Sequence, residues 1–162
     1  MSDVKARAKP VGYEEDFYAW SQDQGARLRA REPRDIDWEN VAEEVESVGR
    51  SQKTEIRSRL AVLLTHLLKW EFQPEARCAS WQSSIGEQRT HIETIIEDSP
   101  SLRRFPTEAA DRAHRHARSR AARETGLPIG TFPATLPYSA KQLLDDAFMP
   151  GRRWEPADLR KD

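Results

Sequence analysis

Two glutamates and two histidines lie where predicted helices could bring them together. On helical wheels Glu44, His66, Glu87 and His91 fall at the edges of apolar arcs on three successive helices. Helical bundles bind divalent metals through inward-facing Glu and His side chains, often as Glu-x-x-His repeats. Glu87 and His91 are four residues apart, so they share a helix face and could chelate, but a second copy of the motif is absent. These residues indicate either an inter-helix metal site or a polar network that fixes helix register, and the network is the commoner arrangement.

Two glutamines, Gln24 and Gln88, interrupt otherwise apolar stripes. A buried amide costs a few kcal/mol unless it is hydrogen-bonded. Its partner could be the other glutamine, a backbone group or a ligand, so a small-molecule site around His66 and Gln88 stays open. The sequence contains no Ser-His-Asp order, Cys-His pair or Gly-rich phosphate loop, so it does not favour an enzyme and predicts no cofactor.

The region 103–123 is strongly basic, with seven arginines against two acidic residues, whereas residues 14–46 contain eleven acidic residues and four arginines. The basic patch on the predicted helix consists of Arg112, Arg115, Arg118 and Arg123. Such a face could bind nucleic acid, but no aromatic residue lies among these arginines and no recognised nucleic-acid-binding motif is present. A solvated helix face, or attraction between the acidic and basic regions, explains it as well. Nucleic-acid binding is therefore the second alternative.

Tryptophan is abundant, with five residues in the chain. Trp38 and Trp70 fall at arc edges, where they could contact a partner, and protein interfaces favour this residue type. Packing within a bundle is the other explanation. Because catalytic motifs are absent, the leading hypothesis is a non-enzymatic helical module that binds a partner protein or a second copy of itself.

Helical periodicity predicts the elements that position these residues. A first helix begins near Tyr13 and ends before Pro33, and a second, capped by Asp37, stops or kinks at Gly49. A third helix runs from about 51 to 72, and its apolar arc covers half of its circumference, so we expect it to lie centrally. That arc consists of Ile56, Leu60, Leu63, Leu64, Leu67, Leu68 and Trp70.

The second half of the chain predicts shorter elements. A fourth helix is capped by Ser80, and a fifth spans about 107–125 with its alanines inward. Residues 127–138 contain three prolines and suit an extended strap anchored by apolar side chains, Ile129 among them. Ser139 begins a capping box for a short sixth helix that continues through Phe148. The expected fold is an all-α, single-domain bundle of five to six helices.

Composition indicates how many domains the chain forms and in which compartment it is found. A net charge of -1 argues against a surface adapted throughout to a polyanion, and 162 residues suit one domain, expected over 12–154. Residues 1–11 are expected to be a mobile arm and 155–162 a frayed tail. A lone cysteine, Cys78, fits a reducing compartment, and no apolar run approaches the roughly 18 residues that span a bilayer. We therefore expect a cytoplasmic protein without a membrane segment.

Short segments in one order along the chain resemble a known family. Among them are Tyr13-Glu14-Glu15-Asp16-Phe17, His66-Leu67-Leu68-Lys69-Trp70, Asp98-Ser99-Pro100 and Phe148-Met149-Pro150. Together they cover roughly residues 13–150 and are similar to the bacterial family called domain of unknown function 29. The resemblance implies an all-helical cytosolic protein and assigns no catalytic residues.

Overall fold

The computed structural model describes residues 12–160, in which it contains five α-helices and no β-strand. The helices are α1 Phe17–Ala30, α2 Trp38–Phe72, α3 Ala79–Asp98, α4 Phe105–Thr125 and α5 Ala140–Leu144. The all-α fold class is confirmed. The arm predicted over 1–11 lies outside the described residues. Within 12–160, no helix combines the length and the apolarity that crossing a bilayer requires.

The long helix α2 is continuous through Gly49, where the sequence pattern predicted a stop or a kink, so the stop is wrong. Gly49 lies in its interior, and a Cβ atom built there would meet nothing within 4 Å. An interior glycine costs a helix only about 1 kcal/mol relative to alanine. The helix-forming residues on either side offset that cost, so the second and third predicted helices are one.

The chain divides into two compact units, one ending at Arg50 and one beginning at Ser51. In the first unit, Asp16 caps α1 by accepting a hydrogen bond from the backbone N–H of Ala19 at 2.9 Å. Trp20 and Gln24 are the buried side chains of α1, together with Arg27. The domain boundaries expected at residues 12 and 154 stay predictions.

The unit beginning at Ser51 has one hydrophobic core, built on α2. All seven residues of the predicted apolar arc are 0% exposed, which confirms that this stretch is central to the core. Ile85 and Ile92 of α3 belong to the same core, as do five alanines of α4. Alanine side chains are small enough to let helix backbones approach closely.

Two helix ends differ from prediction. Cys78, not Ser80, is the N-cap of α3, and it makes no side-chain capping bond. The capping box that begins at Ser139 is present, but α5 ends at Leu144, short of Phe148. The helix stops there because Asp145 is extended, with ψ 113°.

The residues after α4 lie against the core without forming an α-helix. Phe132 and Tyr138 anchor them at 1% and 5% exposure, whereas Ile129 is 48% exposed and is not an anchor. The tail predicted to be frayed contains a 3₁₀ turn at Pro156–Asp158. Beyond that turn, the backbone N–H of Arg160 donates to the carbonyl oxygen of Arg77 at 2.7 Å.

Candidate functional site

The predicted metal-binding residues do not form a ligand set. Glu44 and His66 belong to one continuous helix, so the prediction that places them on two successive helices is wrong. His66 donates from Nδ1 to the carbonyl oxygen of Val62 at 3.0 Å, and His91 does the same to Glu87 at 2.9 Å. Across residues 12–160, no group of three or more His, Cys, Asp or Glu side chains could hold a metal ion. His66 and His91 instead each hydrogen-bond to a backbone carbonyl oxygen of their own helix.

The two glutamines that interrupt apolar stripes are buried and have protein partners. Gln24 accepts a hydrogen bond from the backbone N–H of Asp37 at 2.8 Å and donates to the carbonyl oxygen of Asp35 at 3.4 Å. Gln88 accepts from Nη1 of Arg59 at 3.2 Å. Both amides therefore have structural partners of the kind that sequence reasoning favoured.

The arginine patch on α4 is only partly a free surface. Arg112, Arg115 and Arg123 are exposed. Arg118 is half-buried, and its Nε donates to the carbonyl oxygen of Phe132 at 3.0 Å. Three of the four residues therefore offer positive charge to solvent, and the fourth holds the strap after α4.

The two tryptophans proposed as interface residues have opposite environments. Trp38 is 59% exposed, whereas Trp70 is fully buried. The ring of Trp70 packs edge-on against Trp154, with centroids 5.0 Å apart, and lies under the guanidinium of Arg77 at 5.0 Å. Trp70 is therefore a core residue, which corrects the prediction, and Trp38 stays a candidate.

Exposed large apolar side chains are concentrated before residue 51. Of the seven such residues in the described chain, six lie there and only Ile129 lies elsewhere. They are Phe17 (51%), Tyr18 (74%), Leu28 (42%), Trp38 (59%), Val45 (69%) and Val48 (64%).

Four of these residues define what we call the apolar face: Phe17 and Leu28 on α1, and Trp38 and Val45 on α2. At 100° per residue, each pair points within about 20° of the same direction on its helix. Tyr13 joins the two rows, because its ring contacts Phe17 at 5.6 Å and its hydroxyl donates to Glu44, beside Val45, at 2.5 Å. That hydrogen bond raises the pKa of the Tyr13 hydroxyl.

Two buried arginines without a carboxylate partner were not predicted from the sequence. Arg77 is 1% exposed and Arg89 is 3% exposed, and neither has a carboxylate at ion-pair distance among the described residues. Arg77 donates to the carbonyl oxygens of Trp70 and Arg152 at 2.8 and 2.9 Å. Burial lowers the pKa of both guanidinium groups. Arginine is rarely buried, so composition and periodicity give no signal for either.

One lysine is also buried, but with a counter-ion. Lys69 is 7% exposed, and its Nζ lies 2.8 Å from Oε2 of Glu124 and 4.4 Å from the ring centroid of Trp81. Burial opposes ionisation of Glu124, but the hydrogen bonds from Lys69 and Arg120 outweigh it and lower the pKa of that carboxyl. This pair ties α2 to α4.

A cavity of about 770 Å³ lies between α3 and the segment 146–154. Its wall includes Arg89 and Gly86 of α3, and its other side includes Arg152, Arg153 and Trp154. Volumes between about 300 and 1,000 Å³ are typical of small-molecule sites. No pattern in the sequence marks this cavity, because its two walls are more than fifty residues apart along the chain.

The family model Domain of unknown function DUF29 matches residues 12–149 of the chain. The chain belongs to the DUF29 family. The resemblance read from the sequence is thereby confirmed. No curated protein and no solved structure matches the chain.

The DUF29 match includes some of the described surfaces and leaves out others. It contains the whole apolar face and both buried arginines. Arg152, Arg153 and Trp154 lie beyond it. One wall of the cavity is therefore within the family match, and the rim opposite it is not.

Proposed function

We propose that this chain is a non-enzymatic interaction module whose apolar face binds a basic amphipathic helix of another protein. The observation that carries the proposal is the concentration of six of the seven exposed large apolar side chains before residue 51. Scattered apolar residues are normal on a protein surface, whereas a concentration of them marks an interaction site. Trp38 supplies the kind of anchor that dominates binding energies at interfaces.

Charge favours a basic partner. The region 14–46 that carries the face has eleven acidic residues and four arginines. Glu39, Glu43 and Glu46 are exposed on α2 between and beside Trp38 and Val45. Arg50 pairs with Glu43 and Glu46, so three carboxylates and one guanidinium leave a net negative charge on this side of α2. In a symmetric pair of such faces the carboxylates would oppose one another, and like charges across an interface cost binding energy. A partner helix with lysine or arginine beside its apolar row avoids that cost.

The face is also held in shape before binding. The rings of Tyr13, Phe17 and Trp20 contact one another at 4.8 to 5.7 Å. The indole N–H of Trp20 donates to Oδ2 of Asp37, next to Trp38, at 3.3 Å. Less ordering of the surface on binding leaves more of the contact energy as affinity.

Fluorescence anisotropy with two synthetic helical peptides tests the proposal. Both peptides carry the same row of leucines, flanked by lysines in one and by glutamates in the other. We expect the lysine peptide to bind at least about tenfold more tightly, and its affinity to fall as added salt screens the carboxylates. Equal affinities would remove the argument from charge.

Variants locate the contact. Trp38→Glu and Val45→Glu should each weaken binding of the lysine peptide by about tenfold or more. Ile129→Glu is the matched control, because it places the same charge at an exposed apolar residue outside the face. Binding that survives both face variants would overturn the proposal. A stable homodimer in sedimentation that Trp38→Glu dissociates would do so too, because the occupant would then be a second copy.

The proposal includes a cytoplasmic location. It is supported by the cysteine content, since Cys78 is the one cysteine of the chain and has no partner for an internal disulfide. Proteins of oxidising compartments more often use paired cysteines.

A further inference from the structure

We propose that the cavity between α3 and the segment 146–154 binds a small organic anion, one that carries a phosphate or carboxylate group on an apolar body. The site is separate from the apolar face. Three properties of the cavity support the proposal: its charge, the glycine in its wall and the apolar side chains beside its arginines.

The cavity is lined by three guanidinium groups and one carboxylate. Arg89 lies in its wall at 3% exposure, and Arg152 and Arg153 are exposed at its rim. No carboxylate of the described residues lies within ion-pair distance of any of the three. The carboxylate in the lining belongs to Asp146. The N–H groups of Arg89 donate to backbone carbonyl oxygens of residues 142–148, so its charge is hydrogen-bonded but not neutralised. The side chains of Arg152 and Arg153 make no hydrogen bond among the described residues, and this excess of positive charge favours an anion from outside the chain.

The glycine in the wall has no packing reason to be a glycine. Gly86 lies in the interior of α3, where alanine is the more favourable residue. A Cβ atom built on it would meet nothing within 4 Å, so no neighbour excludes a side chain. Because Gly86 lines the cavity, the space that a side chain would occupy is part of the cavity. The absence of a side chain at Gly86 therefore enlarges the space that a ligand could use.

Apolar side chains lie beside the arginines. Ile85, Met149 and Trp154 contribute to the lining. The ring of Trp154 is held edge-on against the buried Trp70, with centroids 5.0 Å apart. Sites for small molecules commonly combine apolar walls with a few charged groups that orient the ligand. The lining therefore suits an anion with an apolar body better than a bare inorganic ion.

Isothermal titration calorimetry of the full chain with four probes tests the chemistry. The probes are phenyl phosphate, benzoate, inorganic phosphate and the neutral benzyl alcohol. We expect phenyl phosphate or benzoate to bind at least about tenfold more tightly than inorganic phosphate and benzyl alcohol. The comparison of the first two separates a phosphate from a carboxylate ligand. Equal binding of benzyl alcohol, or no binding of either organic anion at about 1 mM, would overturn the proposal.

Two variants place the binding in the cavity. Arg152→Gln with Arg153→Gln removes the rim charge and should weaken binding by about tenfold or more. Gly86→Leu places a side chain inside the cavity and should weaken binding by about tenfold or more. Gly49→Leu is its control, because Gly49 is also interior to a helix with nothing within 4 Å and lies outside the cavity lining. Thermal unfolding checks that each variant folds, and unchanged binding in folded Gly86→Leu would refute the assignment.

Discussion

Replacing Arg89 with methionine tests how the C-terminal segment is held. The guanidinium donates from Nε to the carbonyl oxygen of Leu143 and from Nη2 to that of Phe148, both at 2.9 Å. Two longer contacts, at 3.4 and 3.5 Å, reach the carbonyl oxygens of Gln142 and Asp146. Methionine keeps much of the unbranched apolar stem and removes every donor. The last turn of α5 and the loop after it then lose their partner on α3.

The size of the effect follows from the two short bonds. A hydrogen bond to a charged group contributes about 1.5–3 kcal/mol, and a buried carbonyl left without a donor costs about 1–3 kcal/mol. Removing a buried, unpaired cation recovers part of this loss. We therefore expect Arg89→Met to lower the free energy of unfolding by about 3 kcal/mol, a large share of the 5–15 kcal/mol that is typical of a domain.

Urea unfolding followed by circular dichroism measures this loss. Arg115→Met is the control, because Arg115 is exposed and its side chain makes no hydrogen bond among the described residues. Arg89→Lys keeps the charge, but its single ammonium cannot reach carbonyls spread over a fork, so most of the loss should remain. A loss below about 1 kcal/mol for Arg89→Met, no larger than in the control, would refute the reasoning.

Three further predictions concern α2, α3 and α4. Gly86→Ala and Gly49→Ala should each raise the free energy of unfolding by about 0.5–1 kcal/mol, since both glycines are interior to helices and an added Cβ atom would meet no atom within 4 Å. A lower free energy of unfolding in urea for either variant would contradict this prediction. Burial lowers the pKa of His114, so the unfolded chain takes up this proton at a higher pH than the folded chain does. The free energy of unfolding should therefore fall as the pH drops below about 6.5, by at most about 1.4 kcal/mol per pH unit. Unfolding curves between neutral and mildly acidic pH should show this fall, and His114→Leu should reduce it. Glu124→Gln should lower the free energy of unfolding by about 2–3 kcal/mol, because it leaves the buried ammonium of Lys69 without a carboxylate. Lys69→Met should lower it by less, because Glu124 keeps a second cationic partner, Arg120, and its side chain is 31% exposed. A larger loss for Lys69→Met in urea unfolding would exclude this account.

The sequence predicted the core of the fold well, because apolar residues at helical spacing determine which side of a helix is buried. The arc from Ile56 to Trp70 is an example, since it is long and strongly patterned. The helix end that the sequence allowed at Gly49 was wrong, because the cost of one interior glycine is small beside the cooperative formation of a helix of 35 residues. Local composition sets a preference there, and the rest of the helix decides the outcome.

The candidate sites were less predictable, because periodicity describes one helix and not what covers it. Trp38 and Trp70 both fell at arc edges in the sequence, yet one is 59% exposed and the other is 0% exposed. Apart from the bond between Arg77 and Trp70, the partners of Arg77 and Arg89 lie at residues 142–152, more than fifty positions further along the chain. No local pattern records such a contact, so the buried arginines and the cavity beside them emerge only from the structure.

The carbonyl contacts of Arg77 and Arg89 also bear on how the chain is made. Residues 142–152 leave the ribosome after α2 and α3 have been synthesised. Until then Arg89 has none of its carbonyl acceptors and Arg77 has only that of Trp70. A chain truncated before residue 140 therefore keeps α2, α3 and α4 but cannot bury either cation without a large penalty. We expect such a product to open more often than the full chain and to be degraded faster by proteases. Stable folding of this unit therefore depends on synthesis of residues 142–152, which the two arginines bind.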